Sequence, residues 1–318
     1  MIIVRLTSGL GNQMFQYSFC KLLQERYPSA TVKADTRWLY RNDPHHGFEL
    51  SKVFPNLSRP PLALHEAGIR DCFRVTGQIY GCPKNKMLAK IWGRFTGGLN
   101  RRLRDGKYRE RYEQNMIDDS TGAVDDLYQK VMNLDPKKDY YIISYWASEK
   151  YYKERIDKIQ KEFTFDEPVD KENLEMLARI DGSHSVSIHI RRGDYLLKEN
   201  ADKFKALGME YYGKAIAYIE ERVENPTFFV FSDDIAFAKE LFSDRSDMVY
   251  VSHNNGINSF RDMQLMSRCK HNITANSTFS IWAGILNKNI GHLTIYPAAY
   301  MYGEDTEEKT LPDWIRIS

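Results

Sequence analysis

The sequence predicts an α/β protein made of two units, each built on a parallel sheet. Short runs of β-branched and aromatic residues recur along the chain, and stretches with helical spacing separate them. This alternation is typical of βαβ units. The runs form two series on either side of a charged stretch of low apolar content at residues 164–185. Because 318 residues are enough for two domains, we predict domains at 1–165 and 166–318.

The first series supplies the elements of the N-terminal domain. A strand at residues 2–6 leads through a glycine turn into a helix at about 14–26. The pattern further predicts a strand at 31–34 that ends at Asp35, a strand at 140–145 and a helix at 149–163.

The second series supplies the C-terminal domain. It predicts five strands with helices between them, at residues 186–190, 227–231, 248–251, 271–275 and 292–296. Ligands of open α/β sheets bind at the carboxyl ends of the strands. The residues that follow these strands are therefore the first candidates for a binding site.

One segment of the N-terminal domain departs from the strand–helix alternation. Residues 84–111 contain ten Lys and Arg against two acidic residues. Apolar residues recur there at helical spacing, namely Met87, Leu88, Ile91, Trp92 and Phe95. An amphipathic basic helix can lie on an anionic membrane surface. The alternative is a solvated surface insertion with one face packed on the body, and the sequence leaves both open.

Composition limits the partners and the compartment. The net charge of +2 provides no general attraction to nucleic acid. The four cysteines show no Cys-x-x-Cys spacing, which suits a reducing compartment, although spacing alone allows a disulfide between Cys72 and Cys82. No apolar run approaches the ~20 residues that span a bilayer. We expect a cytoplasmic protein, with the basic segment as the candidate for peripheral attachment to the inner membrane.

Two adjacent arginines follow the strand at 186–190. A guanidinium at this position presents a rigid fork of donors that matches phosphate oxygens. Arg191 and Arg192 are followed by Gly193 and Asp194, so the sequence indicates an anion site at a turn. The alternative is that both arginines form ion pairs around that turn.

Three other turns between strands and helices carry candidate residues. Gly9 and Gly11 allow a sharp turn ahead of a helix whose N-terminus favours an anion, although Met14 stands where a dinucleotide motif has its third glycine. After the strand at 227–231, Asp233 could accept hydrogen bonds from guanine N1 and N2. The hydroxyls and amides of 276–280 could form a phosphate nest. Each turn could instead be a structural feature, since Ser232 or Asp233 can cap a helix that starts at Ile235, and Ser or Thr can cap the helix after 276.

Together these segments resemble the bacterial α-1,2-fucosyltransferases of glycosyltransferase family eleven. The similarity extends nearly from end to end. It is carried by GLGNQMFQY at 9–17, Tyr145-Trp146 ahead of 148–152, HIRRGDY at 189–195, FSDD at 231–234, NSTFS-x-W at 276–282 and LPDWI at 311–315. The chain departs from the family pattern at Ser8, where the family has a glycine, and at Ile281, where a tryptophan is common.

The resemblance implies a GT-B-like fold, in which two Rossmann-like domains face a cleft. The C-terminal domain would bind GDP-β-L-fucose, and the N-terminal domain would lie on the acceptor side. The reaction would be inverting transfer of fucose to the 2-hydroxyl of a β-galactoside in a glycan, such as an O-antigen or a milk or blood-group oligosaccharide, with a lipid-linked acceptor as one option. No metal or other cofactor is implied, and no Asp-x-Asp occurs in the chain. The alternatives are a transferase of another linkage or donor and a non-catalytic glycan- or nucleotide-binding protein.

The resemblance also implies roles for individual residues. Arg191 would bind the diphosphate, His189 would line the donor site, and Asp233 or the neighbouring Asp234 would read guanine. Tyr145 and Trp146 would contact the acceptor. The remaining donor-site residues would be Gly9, Gly11, Asn12, Gln13, Asn276, Ser277, Thr278, Phe279 and Ser280.

The resemblance does not identify the general base that takes the acceptor proton. Such a base must lie within reach of the acceptor hydroxyl. Two carboxylates near predicted strand ends are candidates, Asp35 in the N-terminal domain and Asp194 beside the arginines.

Overall fold

The chain divides into two compact units, Met1–Thr164 and Phe165–Ser318. The computed structural model describes residues 1–40, 46–79, 86–119, 124–198, 203–204, 206–301, 304–305 and 307–318. Each unit contains a parallel sheet with helices between its strands. The predicted α/β class with two Rossmann-like units is therefore confirmed.

The first unit is built on a four-stranded parallel sheet. Its strands are β1 (Ile2–Arg5), β2 (Val32–Asp35), β3 (Met116–Asp118) and β4 (Tyr140–Ile143). They lie in the order β2-β1-β4-β3, so β1 and β4 are central. Ile2, Ile3 and Val4 are fully buried because a central parallel strand is covered on both faces. The sequence predicted three of these strands and missed β3, whose three residues are too few to show a period.

The helices of the first unit start and stop differently from the prediction in two places. The first helix begins at Leu10, ahead of the predicted start, because Gly9 adopts an extended conformation and serves as its N-cap residue. The predicted helix at 149–163 is instead two short 3₁₀ turns followed by an α-helix. The helices are α1 (Leu10–Arg26), α2 (Leu50–Val53), α3 (Ile69–Thr76), α4 (Lys86–Asp105), α5 (Arg109–Asn115), α6 (Val124–Met132) and α7 (Ile156–Glu162).

The second unit is built on a six-stranded parallel sheet. Its strands are β5 (His184–Ile190), β6 (Pro226–Ser232), β7 (Met248–Val251), β8 (His271–Ile273), β9 (Thr294–Pro297) and, after the antiparallel pair β10 (Ala299–Met301) and β11 (Glu304–Asp305), β12 (Ile315–Ile317). The order in the sheet is β12-β9-β8-β5-β6-β7. All five predicted strands are present. The central position of β5 between β6 and β8 brings the carboxyl ends of these three strands together.

Helices cover both faces of the second sheet. They are α8 (Lys171–Asp181), α9 (Met209–Glu220), α10 (Ile235–Leu241), α11 (Phe260–Arg268) and α12 (Thr278–Leu286). Val186, Ile188 and Ile190 of β5 pack with α9 in the apolar core. Because side chains alternate along a strand, His189 points to the opposite face, where its ring lies 5.7 Å from that of Phe279 in α12.

The cysteines that the structure describes are buried and free, and they are Cys20, Cys72 and Cys269. Cys82, the second partner of the disulfide that spacing allowed, lies outside the described residues. Within the described ranges, no helix is long and apolar enough to cross a membrane.

Candidate active site

The carboxyl ends of β5 and β6 bring two arginines against two aspartates. Arg191 Nη1 lies 3.1 Å from Asp233 Oδ2, and Arg192 Nε lies 3.2 Å from Asp234 Oδ2. The backbone N–H of Arg192 also donates to Asp233 Oδ1 at 2.9 Å. The ion pairs that the sequence offered as an alternative are therefore present at this turn.

These ion pairs do not by themselves exclude a ligand. Both arginine side chains remain 29% exposed, and the Asp233 side chain remains 26% exposed. A carboxylate has about four lone-pair sites. Asp233 can therefore accept further hydrogen bonds while it holds Arg191 and the backbone of Arg192.

Asp234 has a structural role that Asp233 does not share. Its Oδ1 accepts from the backbone N–H of Phe237 at 3.0 Å, which makes it the N-cap of α10. The guanidinium carbon of Arg192 lies 3.8 Å from the centre of the Phe237 ring. Asp234 and Phe237 thus hold Arg192 at the start of α10. The helix cap that the sequence placed at Ser232 or Asp233 is at Asp234.

Gly193 allows the turn after β5 to approach Asp233 closely. A Cβ at this position would lie 3.1 Å from Asp233 Oδ2 and 3.3 Å from its Cγ. Such contacts are tighter than ordinary van der Waals distances, so a side chain here would push the carboxylate away. The glycine therefore preserves the Arg191–Asp233 pair.

Two serines build the start of α12, and the two residues between them remain partly exposed. Ser277 is the N-cap, and its Oγ accepts from the N–H of Phe279 at 3.4 Å. Ser280 is buried, and its Oγ accepts from the N–H of Ala275 at 3.1 Å. Both serines build the turn, as the capping alternative expected. Thr278 and Phe279 are half-buried and face outward at the positive end of the helix dipole.

Asn276 is held in the interior beside this turn. Its Nδ2 donates to the Tyr300 carbonyl at 2.9 Å, and its own carbonyl accepts from the Tyr195 hydroxyl at 2.6 Å. Its side chain is buried. Asn276 therefore ties the turn after β8 to the segment after β5 and to β10.

His189 is a buried, neutral histidine next to Arg191. Burial and, to a smaller extent, the positive charge of Arg191 together lower its pKa from 6.5 to about 3. Its Nδ1 has no hydrogen-bond partner among the described residues. The Tyr212 hydroxyl donates to its backbone carbonyl at 2.9 Å. The ring is thus fixed by its strand and by packing, and it carries no charge at neutral pH.

In the first unit, the turn between β1 and α1 depends on a strained serine. Ser8 has a φ of +70°, in the left-handed region that favours glycine, the residue that the family resemblance led us to expect at this position. Its Oγ accepts from Asn12 Nδ2 at 2.9 Å. Gly9 and Gly11 lie in the same turn, at the N-terminus of α1. This hydrogen bond holds Asn12, half-buried, at the first turn of the helix.

Gln13 belongs to the interior of the first unit. Its Nε2 donates to the carbonyls of Ser8 and Gly47, both at 2.9 Å, and its Oε1 accepts from the N–H of Glu49 at 3.0 Å. Both amide hydrogens are therefore used. The prediction that Gln13 binds the donor does not agree with this environment, in which it anchors the segment at 46–49.

Asp35 is fully buried and cannot reach an acceptor hydroxyl. Its Oδ1 accepts from Arg37 Nε at 2.7 Å, and its Oδ2 accepts from the Tyr141 hydroxyl at 2.8 Å. Burial, and then the charge of Asp35, raise the pKa of the Cys72 thiol beside it. Asp35 is a buried counter-ion for Arg37, an environment that does not suit a general base.

The two residues expected at the acceptor differ in exposure. Tyr145 is exposed. Trp146 is buried, with its ring stacked on Phe19 at 3.8 Å and 7° and in an edge contact with Tyr151 at 5.4 Å. A sugar cannot stack on a ring that is enclosed by two others. Trp146 is therefore a core residue, and Tyr145 stays the candidate for acceptor contact.

Asp194 stays a predicted base. Its backbone begins the short 3₁₀ turn Asp194–Leu196, immediately after the arginines. Its side chain lies outside the part of the chain that the structure describes.

Sequence reasoning missed two residues that position the site. Phe237 lies three residues after the cap Asp234, and an aromatic residue in the first turn of the helix after FSDD could have signalled a partner for Arg192. Tyr212 lies in α9 and reaches β5 only through the tertiary fold, so no local pattern indicated it.

Known proteins match the chain over most or all of its length. The model of glycosyl transferase family 11 matches residues 101–318. The α-1,2-colitosyltransferase of Escherichia coli is 32% identical to this chain, and the alignment covers 100% of this chain and 99% of that protein.

The chain belongs to glycosyl transferase family 11. The O-antigen biosynthesis glycosyltransferase WbnK of Escherichia coli is 28% identical, over 98% of this chain and 99% of that protein. The galactoside α-(1,2)-fucosyltransferase 2 of Sus scrofa is 30% identical, over 55% of each chain. This family 11 member is thus a glycosyltransferase, as the motifs predicted. No group of three or more His, Cys, Asp or Glu is arranged to hold a metal ion in the part of the chain that the structure covers.

Proposed function

We propose that this family 11 glycosyltransferase is a galactoside α-1,2-fucosyltransferase. It would transfer L-fucose from GDP-β-L-fucose to the 2-hydroxyl of a β-galactoside, with inversion at the fucose C1. The main observation is the cluster of Arg191, Asp233 and the start of α12 at the carboxyl ends of β5, β6 and β8. The α-1,2 linkage in the names of two relatives supports the choice of hydroxyl.

The second unit would bind the donor. We assign the diphosphate to Arg191 and to the N-terminal turn of α12, where Thr278 adds a hydroxyl. Asp233 would accept from guanine N1 and N2 with the lone pairs that its two contacts leave. Phe279 would pack against the ribose or the base, and the neutral ring of His189 would line the same site without adding charge.

Catalysis would depend on stabilising the leaving diphosphate. The bond between fucose C1 and the diphosphate oxygen breaks while the galactose O2 forms the new bond to C1 from the opposite face. The released electron pair stays on GDP, where Arg191 and the α12 dipole face it. Preorganised donors of this kind supply several kcal/mol in enzymes. The hydroxyl proton leaves to a base, for which Asp194 is the candidate.

The first unit would supply the acceptor side. Tyr145 is exposed there, and the turn that contains Gly9, Gly11 and Asn12 presents the N-terminus of α1. An acceptor glycan carries many hydroxyl groups, which backbone N–H groups and an aromatic ring can bind. We leave Gln13 and Trp146 out of this assignment because both serve the interior.

Incubation with GDP-fucose and a panel of β-galactosides, in excess EDTA, tests this function. We expect fucosylated product whose linkage analysis gives α-1,2, and we expect EDTA to leave the rate unchanged because no Asp-x-Asp is available as a metal–diphosphate clamp. Another linkage would refute the acceptor assignment. Complete loss of activity in EDTA that manganese restores would refute the metal-independent assignment.

GDP-colitose is a second candidate donor, because the α-1,2-colitosyltransferase of E. coli is similar to this chain over its whole length. Colitose is L-fucose without its 3-hydroxyl, so the residues that face GDP can serve both donors. Parallel assays with GDP-fucose and GDP-colitose decide between them. A higher kcat/KM with GDP-colitose would replace fucose in the proposed function and leave the roles at the nucleotide unchanged.

A further inference from the structure

Helix α4 turns its apolar side chains outward. Six large apolar residues of the helix are between 36% and 77% exposed. They form what we call the apolar stripe, and they are Met87, Leu88, Ile91, Trp92, Phe95 and Leu99. Their spacing puts them on one side of an α-helix. An apolar surface of this kind on a protein marks an interaction site.

A different side of α4 packs on the first unit. Gly93 and Thr96 are buried, and Asn100 is half-buried. Asn100 Oδ1 accepts from the Ile79 N–H at 2.7 Å, and Asn100 Nδ2 donates to the Ile79 carbonyl at 3.0 Å. One face of α4 is thus packed on the body, as the alternative of a surface insertion expected. The contacts that hold α4 come from small and polar residues, and the apolar stripe lies on the exposed side of the helix.

Basic residues occupy the third side of the helix. Lys90, Arg94, Arg101 and Arg104 are exposed and follow one another along this side, which we call the basic stripe. Arg104 pairs with Asp105 at 2.8 Å, and Asp105 is the sole acidic residue of the helix sequence. The outward surface of α4 thus combines an apolar half with a cationic half.

We propose that α4 binds an anionic lipid surface, with the apolar stripe among the acyl chains and the basic stripe at the headgroups. Interfacial helices combine these two features. Each Lys or Arg close to an anionic leaflet adds to the attraction. The helix lies on the membrane and does not cross it, in keeping with its charged composition. This inference concerns a surface of the first unit, and it does not rest on the proposed donor or acceptor.

A second copy of the chain fits this surface less well. In a two-fold dimer the same patch faces itself. The basic stripe of one copy would then lie near that of the other, and like charges repel. Anionic headgroups instead neutralise the stripe while the acyl chains take up the apolar side chains.

Co-sedimentation of the full chain with vesicles tests the proposal. We expect binding to vesicles of phosphatidylcholine mixed with phosphatidylglycerol, little binding to phosphatidylcholine alone, and weaker binding in high salt. Phe95→Ser should weaken partitioning by roughly tenfold or more, because a large apolar side chain would no longer be buried. Arg94→Glu combined with Arg101→Glu should weaken it by about tenfold or more.

Matched control variants distinguish binding through α4 from non-specific adsorption to vesicles. Ile290→Ser removes an even more exposed apolar side chain from the second unit, and Lys288→Glu reverses an exposed charge near it. Both should bind vesicles like the wild type. All variants change exposed side chains, and their urea unfolding midpoints should match that of the wild type.

Three results would overturn the proposal. The wild type could stay in the supernatant with anionic vesicles at low salt. The control variants could lose as much binding as the α4 variants. Size-exclusion chromatography could show a dimer that Phe95→Ser converts to a monomer, which would make the apolar stripe an interface between copies.

Discussion

Arg191 and Arg192 are neighbours in the chain, but different groups hold them. Arg192 lies over the Phe237 ring and pairs with the carboxylate that caps α10, so its position is tied to that helix. Arg191, at the end of β5, pairs with Asp233, a carboxylate without a capping role. This difference favours Arg191 as the proposed ligand of the diphosphate, and Arg192 as the residue that fixes the turn.

Arg191→Lys should reduce kcat/KM nearly as much as Arg191→Ala, because lysine keeps the charge and loses the fork of donors. Loss of one charge-assisted contact costs about 1.5–3 kcal/mol, which corresponds to a reduction of roughly 10-fold to 150-fold. Steady-state kinetics with varied donor concentration measure this reduction in kcat/KM. Arg222→Lys, at an exposed arginine over Tyr218, is the control and should have no effect. An Arg191→Lys enzyme that keeps most of its kcat/KM would limit Arg191 to shaping the turn.

Asp233→Asn should weaken GDP binding and reduce the preference for guanine over adenine. An amide oxygen accepts, but its NH₂ group would meet the guanine hydrogens and Arg191 as a donor. Asp234→Asn is the matched control, because asparagine also caps helices well. Titration calorimetry with GDP and ADP gives both affinities. Small and equal effects of the two substitutions would show that Asp233 has only a structural role.

His189 should make stability depend on pH. Its pKa is lowered to about 3 in the folded state, whereas the unfolded chain takes up a proton below about 6.5. Acid therefore favours the unfolded state, and the free energy of unfolding falls between these two values by up to about 1.4 kcal/mol per pH unit. Urea unfolding of wild type and His189→Asn across this range measures it. Parallel pH profiles would contradict the assignment, because the substitution should flatten the slope.

Residue patterns located the turns of the site better than the roles of single side chains. HIRRGDY and FSDD both lie at adjacent strand ends, as predicted. Asp35 was chosen because it follows a strand, and Trp146 because of the family resemblance, but each is buried through tertiary partners far along the chain, such as Tyr141 and Phe19. Local sequence carries no signal for those partners, so burial could not be predicted at either position.

At the scale of elements, strand prediction succeeded for the long central strands and missed two short strands at sheet edges. β5 and β6 have seven residues each and are covered on both faces, so their apolar runs stand out. β3 and β12 have three residues and lie at sheet edges. Pairing with a longer neighbour is what makes them strands. The sequence did not indicate which face of α4 packs, because the body holds this helix through Asn100 and its contact with Ile79, which is distant in sequence.

Asn100→Ala should lower the free energy of unfolding by about 1–3 kcal/mol. The substitution leaves both backbone groups of Ile79 without their partner, and unsatisfied polar groups in a partly buried contact cost about this much. Urea unfolding measures the change. Asn133→Ala removes an exposed amide that bonds only within its own turn, and it should change stability by less than about 0.5 kcal/mol. Equal effects at both positions would show that Asn100 does not anchor α4.

At the scale of the whole molecule, the two units differ in what their sheets present. In the second unit, the carboxyl ends of three adjacent strands carry Arg191, Asp233 and the turn before α12. In the first unit, the groups at the ends of β1 and β2 are largely used internally, as Gln13 and Asp35 show. This difference supports the assignment of the nucleotide to the second unit.

Hydrogen–deuterium exchange with GDP should locate that nucleotide. We expect slower exchange at the turns after β5, β6 and β8, because bound phosphate and base would protect their amides. At the opposite, amino ends of the same strands there is a cavity of about 390 Å³, lined by Ser183, Asn225 and Lys270. Ligands of parallel sheets bind at carboxyl ends, so this cavity should show no change. UDP at the same concentration is the control and should protect less. Protection at the cavity, or protection confined to the first unit, would refute the donor site described here.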